Sequence, residues 1–240
     1  MKFPILLPNI FNHPFTYESD FKLKIGDFVK VSFGKSNMTG VVWDEFEKKN
    51  KNFKIKKINE KLDVPPLKKS FLSFLNWFAE YNLIPKGMAL KLILLRGNTV
   101  KNFNIKVYKN FNLKNKKNSI LLSKEQNKSL REINKFNDKF RVHVLQGTTG
   151  SGKTIVYFEA LKSILEKGYQ GLVMLPEIGL TAQFEKKFIE FFGFEPAVWH
   201  SGITKKNKEI IWSGIANDKI KVIIGARSSL FLPFKKLGLI

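Results

Sequence analysis

Residues 145–161, "LQGTTGSGKTIVYFEAL", contain a glycine-rich loop followed by an apolar run. Residues 147–154 fit the pattern G-x-x-x-x-G-K-[ST], whose glycines let successive backbone N–H groups point into one concavity. The apolar residues before the loop predict a strand over 141–146, and those after it predict a helix that ends at Gly168. Strand, loop and helix therefore follow one another in the order that a phosphate-binding loop needs.

The pattern also gives each residue of the loop a role. Lys153 is expected to reach the β- and γ-phosphates of a nucleotide, and the Thr154 hydroxyl is expected to ligate Mg²⁺. The backbone expected to hold the phosphates belongs to Gly147, Thr148, Thr149, Gly150, Ser151 and Gly152. The loop by itself leaves a small-molecule kinase, a GTPase and a nucleic-acid motor open.

Strands and helices alternate from Ser119 onward, which is the pattern of a parallel α/β sheet. Besides the strand before the loop, strands are predicted at 171–175, 197–200, 220–225 and 237–240. Polar residues that directly follow these strands are expected at the carboxyl edge of the sheet, where open α/β folds bind their ligands.

The amino-terminal part has a different period. Runs at 28–33, 38–43 and 53–58 are rich in apolar residues at alternate positions, and turn residues at 34–37 separate the first two, so a small twisted sheet or partial barrel is predicted. A helix is predicted to open at Pro65-Pro66, and its Phe and Trp side chains are interpreted as core rather than as a platform for stacking bases. The apolar positions expected on one face are Leu67, Phe71, Phe74, Leu75, Phe78 and Tyr81.

Residues 101–118, "KNFNIKVYKNFNLKNKKN", carry six lysines and no acid between these two parts. The composition is typical of a linker or an exposed edge strand. A solvated connection and a contact with a polyanion both fit it.

The whole chain has a net charge of +22, which favours a polyanionic partner such as nucleic acid. Arginine occurs only four times among many Lys, Asn, Ile and Phe residues, so a coding bias toward A and T competes with that interpretation. There is no cysteine, which excludes disulfides and cysteine-held zinc within these residues. Neither a signal peptide nor a long apolar run is recognisable, so a cytoplasmic protein without membrane contact is expected.

Four segments carry a resemblance to a known family: "LSKEQ" (122–126), "VMLPEIGLTAQF" (173–184), "VWHSGIT" (198–204) and "IIGARSSLFLPFKKLGLI" (223–240). The last three each follow a predicted strand. In this order and spacing they resemble the first motor lobe of the bacterial replication-restart DNA helicases of superfamily 2. Upstream, "FPILLPNIFNHPFTY" and "GDFVKVSFGKSNMTGVVW" resemble that family's 3′-DNA-end-binding domain.

The resemblance implies an α/β protein: a small β-rich DNA-binding domain over 1–100, then an incomplete RecA-like P-loop lobe with a parallel sheet over 119–240. The basic residues 101–118 stand where the family has a winged helix. The family's acidic metal-holding segment, second motor lobe and cysteine zinc module would follow later, so the chain is expected to be a fragment, without ligands for that zinc. It is expected to bind DNA and nucleotide but not to hydrolyse ATP.

The resemblance also implies site residues. Gln126 would contact adenine, although Ser123 and Gln126 also fit a capping box at a helix start. Thr181, Gly225, Arg227 and Ser228 would hold the backbone of one DNA strand, with an ordinary ion pair as the alternative for Arg227. Thr16 and Tyr17 lie where the family recognises a DNA 3′ end, but the family usually has an acid at position 16, which weakens that expectation.

The implied activity is that of an ATP- and Mg²⁺-dependent 3′→5′ DNA helicase that recognises stalled or D-loop forks and initiates primosome assembly. Its implied partners are forked, single-stranded and 3′-ended DNA, other replication-restart proteins and single-strand-binding protein. Two rivals remain: another superfamily 2 motor, such as a repair or restriction translocase, and a non-motor P-loop enzyme acting on a small molecule. Preference for forked DNA would separate the last of these.

Overall fold

A computed structural model describes residues 1–46, 55–94, 121–135, 140–176 and 182–240. By their packing, these residues form two units. The first takes the described residues up to 94 together with 201–219 and 230–235, and the second takes the rest. The basic segment 101–118 lies outside the described residues.

The first unit is built on a closed five-stranded barrel with the strand order β1-β2-β5-β3-β4. Its strands are β1 (Lys2–Leu6), β2 (Phe15–Glu18), β3 (Phe28–Phe33), β4 (Ser36–Val42) and β5 (Lys56–Lys61). Neighbours run antiparallel except β2 and β5, which are parallel. The predicted small barrel is confirmed and is closed; its third predicted run starts at Lys56, with residues 53–54 outside the described part.

Alternate residues of the strands point into the barrel and form its core. The buried members are Ile5, Leu7, Tyr17, Val29, Val31, Val42 and Ile58. Gly40 of β4 lies among them. A Cβ at this position would lie 2.6 Å from Ile5 Cγ2 and 2.7 Å from Leu7 Cδ2, which is too close. The narrow interior therefore requires a residue without a side chain at this position.

Two helices, α1 (Lys69–Tyr81) and α2 (Lys86–Ile93), follow the barrel. The helix predicted to open at Pro65 begins only at Lys69, because the Leu67 N–H donates to Gly26 O (3.0 Å) and holds the preceding residues against the barrel. The buried stripe of α1 is Leu72, Leu75 and Ala79.

The interpretation of Trp77 as a core residue is wrong, since it is 55% exposed, and Tyr81, which was predicted on the apolar face, is 75% exposed. Tyr81 follows Leu72 by nine residues, which is two and a half helical turns and places it on the opposite face.

The second unit contains a parallel sheet with the order β7-β8-β6-β9. Its strands are β6 (Gln170–Met174), β7 (Ala197–Trp199), β8 (Val222–Gly225) and β9 (Leu237–Leu239). They confirm the four strands predicted beyond the loop to within two residues. Three helices belong to the same unit: α3 (Lys124–Asn134), α4 (Lys153–Glu166) and α5 (Ala182–Phe192). The core between sheet and helices contains Phe158, Leu161, Leu165, Phe188, Phe192, Val222 and Ile224.

The prediction of a strand over 141–146 is wrong. Residues 140–148 form no strand, and Val142 and Val144 are 78% and 90% exposed. Alternating apolar residues favour an extended backbone, but a strand exists only where another strand's edge pairs with it. None of the four strands described in the second unit pairs with this segment.

A helix from late in the chain, α6 (Lys205–Ala216), belongs to the first unit. Its Trp212 packs edge-on against Phe28 of the barrel, with ring centroids 5.6 Å apart. Phe231 likewise packs against Phe74 and Phe78 of α1, at 5.7 and 4.9 Å. The first unit is therefore not made of amino-terminal residues alone, and the domain limits given above remain a prediction.

In the part of the chain that the structure describes, no helix has both the length and the apolar character required to cross a bilayer.

Candidate nucleotide and DNA sites

Residues 147–151 of the loop are exposed, and the half-buried Gly152 leads directly into the first turn of α4 at Lys153. Gly150 and Gly152 have φ values of 84° and 79°, a region that residues with side chains rarely adopt. Gly152 is also the N-cap of α4, so the sharp turn and the free N–H groups of the helix start coincide. This is the concave set of backbone donors that suits a phosphate.

The Lys153 ammonium group lies over this loop. Its Nζ donates to Gly147 O at 2.6 Å and to Thr148 O at 2.7 Å. The Ser151 hydroxyl also donates to Thr148 O, at 2.9 Å, and closes the loop on itself. Because carbonyl dipoles bind an ammonium group less strongly than a phosphate does, a bound phosphate would compete for Lys153.

Gln126 ties the start of α3 to the phosphate-binding loop. Its Oε1 accepts from the Ser123 N–H (2.9 Å), and its own N–H donates to Ser123 Oγ (3.2 Å), so the predicted capping box is confirmed. Its Nε2 donates to Ser151 O at 3.0 Å, a contact that the sequence did not indicate. An amide has two N–H donors and two oxygen lone pairs. One N–H donor and one lone pair of the Gln126 amide therefore stay available for adenine, and that contact remains a prediction.

Tyr157 is a residue near the loop that sequence analysis missed. Its hydroxyl donates to Thr154 Oγ1 at 3.3 Å, one helical turn away. Burial raises the pKa of the Tyr157 hydroxyl, and Thr154 lowers it by a smaller amount because its hydroxyl can donate to the ionised Tyr157 oxygen. The signal in the sequence was the i, i+3 spacing within "KTIVY", which places both side chains on one face of α4.

The chemistry of this donor set fits a magnesium nucleotide. Mg²⁺ keeps several waters and takes few protein ligands, commonly one or two beside the phosphates of a nucleotide. A single threonine hydroxyl at the loop is compatible with this coordination of Mg²⁺. No group of three or more His, Cys, Asp or Glu side chains able to hold a metal occurs among the described residues.

The residues predicted to recognise a DNA 3′ end lie on β2 and face opposite ways. Tyr17 is buried in the barrel, and its hydroxyl donates to Ser32 O at 3.1 Å. Burial also raises the pKa of its hydroxyl. Thr16 is half-buried and pairs with Pro4 of β1. Since neighbours in a strand point to opposite faces, Thr16 and not Tyr17 has its side chain outside the barrel.

Side chains that sequence analysis did not single out surround β2. Phe15 packs against His13 and Phe33, with ring centroids 4.9 and 5.0 Å apart. The Asn59 amide donates at 3.0 Å to the Oγ of Ser32, the same residue whose carbonyl accepts from the Tyr17 hydroxyl. The contacts of Phe15 with Phe33 and of Asn59 with Ser32 join different strands, so no local pattern could have identified them.

The residues predicted to hold a DNA backbone have different surroundings. Arg227 and Ser228 are exposed in a 3₁₀ turn (Arg227–Phe231) directly after β8, and their donors are accessible to a phosphate. Gly225 is buried, and a Cβ there would lie 2.9 Å from Trp199 O and from Ser229 Cβ. Close internal packing therefore requires a glycine at position 225 whether or not DNA binds there. Thr181 lies outside the described residues.

Two protein families match different parts of the chain. Residues 4–95 match the family described as "3'DNA-binding domain (3'BD)", and residues 119–237 match the family described as "Type III restriction enzyme, res subunit". The chain therefore joins a 3′ DNA-binding domain to a helicase-like P-loop segment.

The particular family follows from individual relatives. The replication restart protein PriA of Rickettsia conorii is 41% identical over 239 residues, and that of Rickettsia prowazekii is 39% identical over 242 residues. Each alignment covers 98% of this chain and 36% of the relative. The PriA of Bacillus subtilis is 38% identical over half of the chain. The chain belongs to the PriA family of replication restart proteins, and it spans about a third of the length of these Rickettsia relatives.

Proposed function

We propose that the chain supplies the DNA-binding and ATP-binding part of an ATP-dependent 3′→5′ DNA helicase that acts in replication restart. The observation that carries the proposal is a phosphate-binding loop, turned by two left-handed glycines into the start of α4, in a chain that also holds a 3′ DNA-binding domain. The relatives named replication restart protein support the assignment of the process.

At the nucleotide site, the loop backbone and Lys153 hold the β- and γ-phosphates, Thr154 ligates Mg²⁺, and Gln126 contacts adenine. When bound, Mg²⁺ offsets charge on the phosphates during transfer of the γ-phosphoryl group to water. The described geometry supports these roles because the loop is exposed and Lys153 is held over it by two carbonyls. Gln126 supports the same site since it contacts the loop through Ser151.

At the DNA site, Arg227 and Ser228 hold the phosphates of one strand, helped by Thr181. Their exposure after β8 supports this, because donors at the carboxyl edge of a parallel sheet face the ligand side. Thr16 and residues around β2 contact a free 3′ end. The lysines of the amino-terminal half and of 101–118 bind phosphates without reading sequence.

Stalled and D-loop forks, single-strand-binding protein and other restart proteins are the partners that this function implies, in the cytoplasm. A zinc site belongs only to a longer protein of this family, since the chain contains no cysteine.

The test is binding of fluorescent DNA to the chain, measured by anisotropy with a fork that carries a free 3′ end and with a blunt duplex. Tighter binding to the fork is expected. If about five phosphates are neutralised, the affinity falls with salt at a log–log slope of about −3.5 to −4.5. An Arg227→Ala variant should weaken binding to both DNAs, and Lys235→Ala is the matched exposed control. Equal binding to both DNAs, or an affinity independent of salt, would contradict the proposal.

A further inference from the structure

The hydrogen bond between Tyr157 and Thr154 connects a residue without an assigned role to the predicted metal ligand. A threonine hydroxyl has one proton to donate and two lone pairs that accept. A cation occupies one lone pair, and the proton must point away from the cation. The rotation of the hydroxyl about its C–O bond therefore decides whether a lone pair is available for the cation.

We propose that Tyr157 is a positioning residue, whose hydroxyl donates to one lone pair of Thr154 Oγ1 and so keeps the other lone pair directed toward the divalent cation of a bound nucleotide. This inference rests on the nucleotide binding proposed above.

Packing holds the Tyr157 hydroxyl in place. The ring is half-buried and packs against the core of the second unit, with its plane at 89° to the Phe158 ring and the centroids 5.2 Å apart. Within the described residues, Tyr157 is the side chain that hydrogen-bonds Thr154. A threonine hydroxyl in a helix often donates to the carbonyl three or four residues earlier. Those residues, Ser151 and Gly150, lie in the loop before α4. The orientation of the Thr154 hydroxyl is therefore fixed by the hydrogen bond from Tyr157 and not by the helix backbone.

The length of the bond limits its effect. At 3.3 Å it is longer than the 2.5–3.0 Å usual between two oxygens. A hydrogen bond of ordinary strength changes an equilibrium by about 2- to 12-fold, and partners behind a metal ligand commonly change metal affinity by about 10-fold or more. Removing this hydroxyl should therefore reduce the gain in affinity that Mg²⁺ confers by about 3- to 10-fold.

The test is titration of a fluorescent ATP analogue with the 240-residue chain, in excess Mg²⁺ and in EDTA, for the unaltered chain and Tyr157→Phe. The phenylalanine keeps the ring and its packing and removes only the hydroxyl. We expect the ratio of the two dissociation constants to fall by about 3- to 10-fold while the affinity in EDTA stays within about twofold. In a Thr154→Val background, Tyr157→Phe should have no further effect, because the partner oxygen is absent.

Three results would overturn the inference. The first is an unchanged ratio in Tyr157→Phe. The second is an equal loss of affinity in Mg²⁺ and EDTA, which would show that the residue only shapes the loop. The third is a full effect of Tyr157→Phe in the Thr154→Val background. If the unaltered chain binds no nucleotide in either condition, the proposed function itself fails, and this outcome is distinct from the other three.

Discussion

The indole Nε1 of Trp212 donates a hydrogen bond of 3.1 Å to the backbone carbonyl of Ile93, a residue 119 positions earlier in the chain. Ile93 is the last residue of α2, and the final carbonyls of a helix have no partner within it. Both residues are buried, at 2% and 1% exposure. Trp212 of α6 therefore satisfies the end of α2 where water cannot reach it.

A Trp212→Phe change should lower the free energy of unfolding by about 1–3 kcal/mol, because it leaves the Ile93 carbonyl buried without a donor and removes part of the ring. Urea unfolding monitored by circular dichroism measures it. Trp77→Phe is the matched control, since Trp77 is 55% exposed, and it should change stability by less than about 0.5 kcal/mol. Equal effects of the two changes would show that the buried hydrogen bond contributes nothing.

Gln126→Glu separates the two contacts of the Gln126 side chain. A carboxylate still accepts from the Ser123 N–H but cannot donate to Ser151 O, so the start of α3 should stay capped while the loop loses a support. The new charge also lies near the phosphates. We expect ATP affinity to fall by about 10-fold or more, with little change in thermal stability.

Ser123→Ala is the complementary change. It removes the side-chain oxygen that accepts from Gln126 N and should cost about 1 kcal/mol of stability, with a smaller effect on ATP binding. If Gln126→Glu instead destabilises the chain as much as Ser123→Ala and leaves ATP affinity intact, the contact between Gln126 and Ser151 does not contribute to ATP binding.

Thr16→Asp should sharpen the discrimination between 3′-hydroxyl and 3′-phosphate DNA ends. The Thr16 side chain is half-buried outside the barrel, and a carboxylate there would repel a terminal phosphate by about 1 kcal/mol, or about fivefold. Competition binding of two oligonucleotides that differ only in the terminal group measures the ratio. Thr16→Asn, which has the same shape without charge, is the control. If Asp and Asn variants give the same ratio, the 3′-end pocket does not include Thr16.

The 240-residue polypeptide should bind ATP without turning it over. Hydrolysis needs an acid that holds Mg²⁺ and orients water, and the residues proposed for the nucleotide site include no Asp or Glu. Loss of one stabiliser of charge on the γ-phosphate typically costs about 10³-fold in rate. Phosphate release with Mg²⁺, ATP and forked DNA should equal that of Lys153→Ala. DNA-stimulated release that disappears in Lys153→Ala would locate the catalytic acid within the 240-residue chain.

Two patterns carried by neighbouring residues were predicted correctly. The turn of the glycine loop into α4 depends on glycines at fixed spacing, and the capping box of Ser123 and Gln126 depends on two residues three apart, so both can be recognised from the sequence alone. The four later strands were found for the same reason. The strand over 141–146 was not, because pairing needs the edge of another strand and propensity cannot supply one. Phosphate binding at the loop stays a prediction.

The class of the chain could be recognised from the sequence: a loop with the phosphate-binding pattern in an alternating α/β segment, after a β-rich segment that resembles a 3′-end-binding domain. Tertiary packing was needed to show that Tyr17 points into the barrel, that Trp77 and Tyr81 of α1 are exposed, and that Gln126 contacts Ser151. It also decided that Trp212 completes the first unit. The physical reason is that helical and strand periods specify which residues share a face, whereas the direction in which that face packs depends on segments far away in the chain.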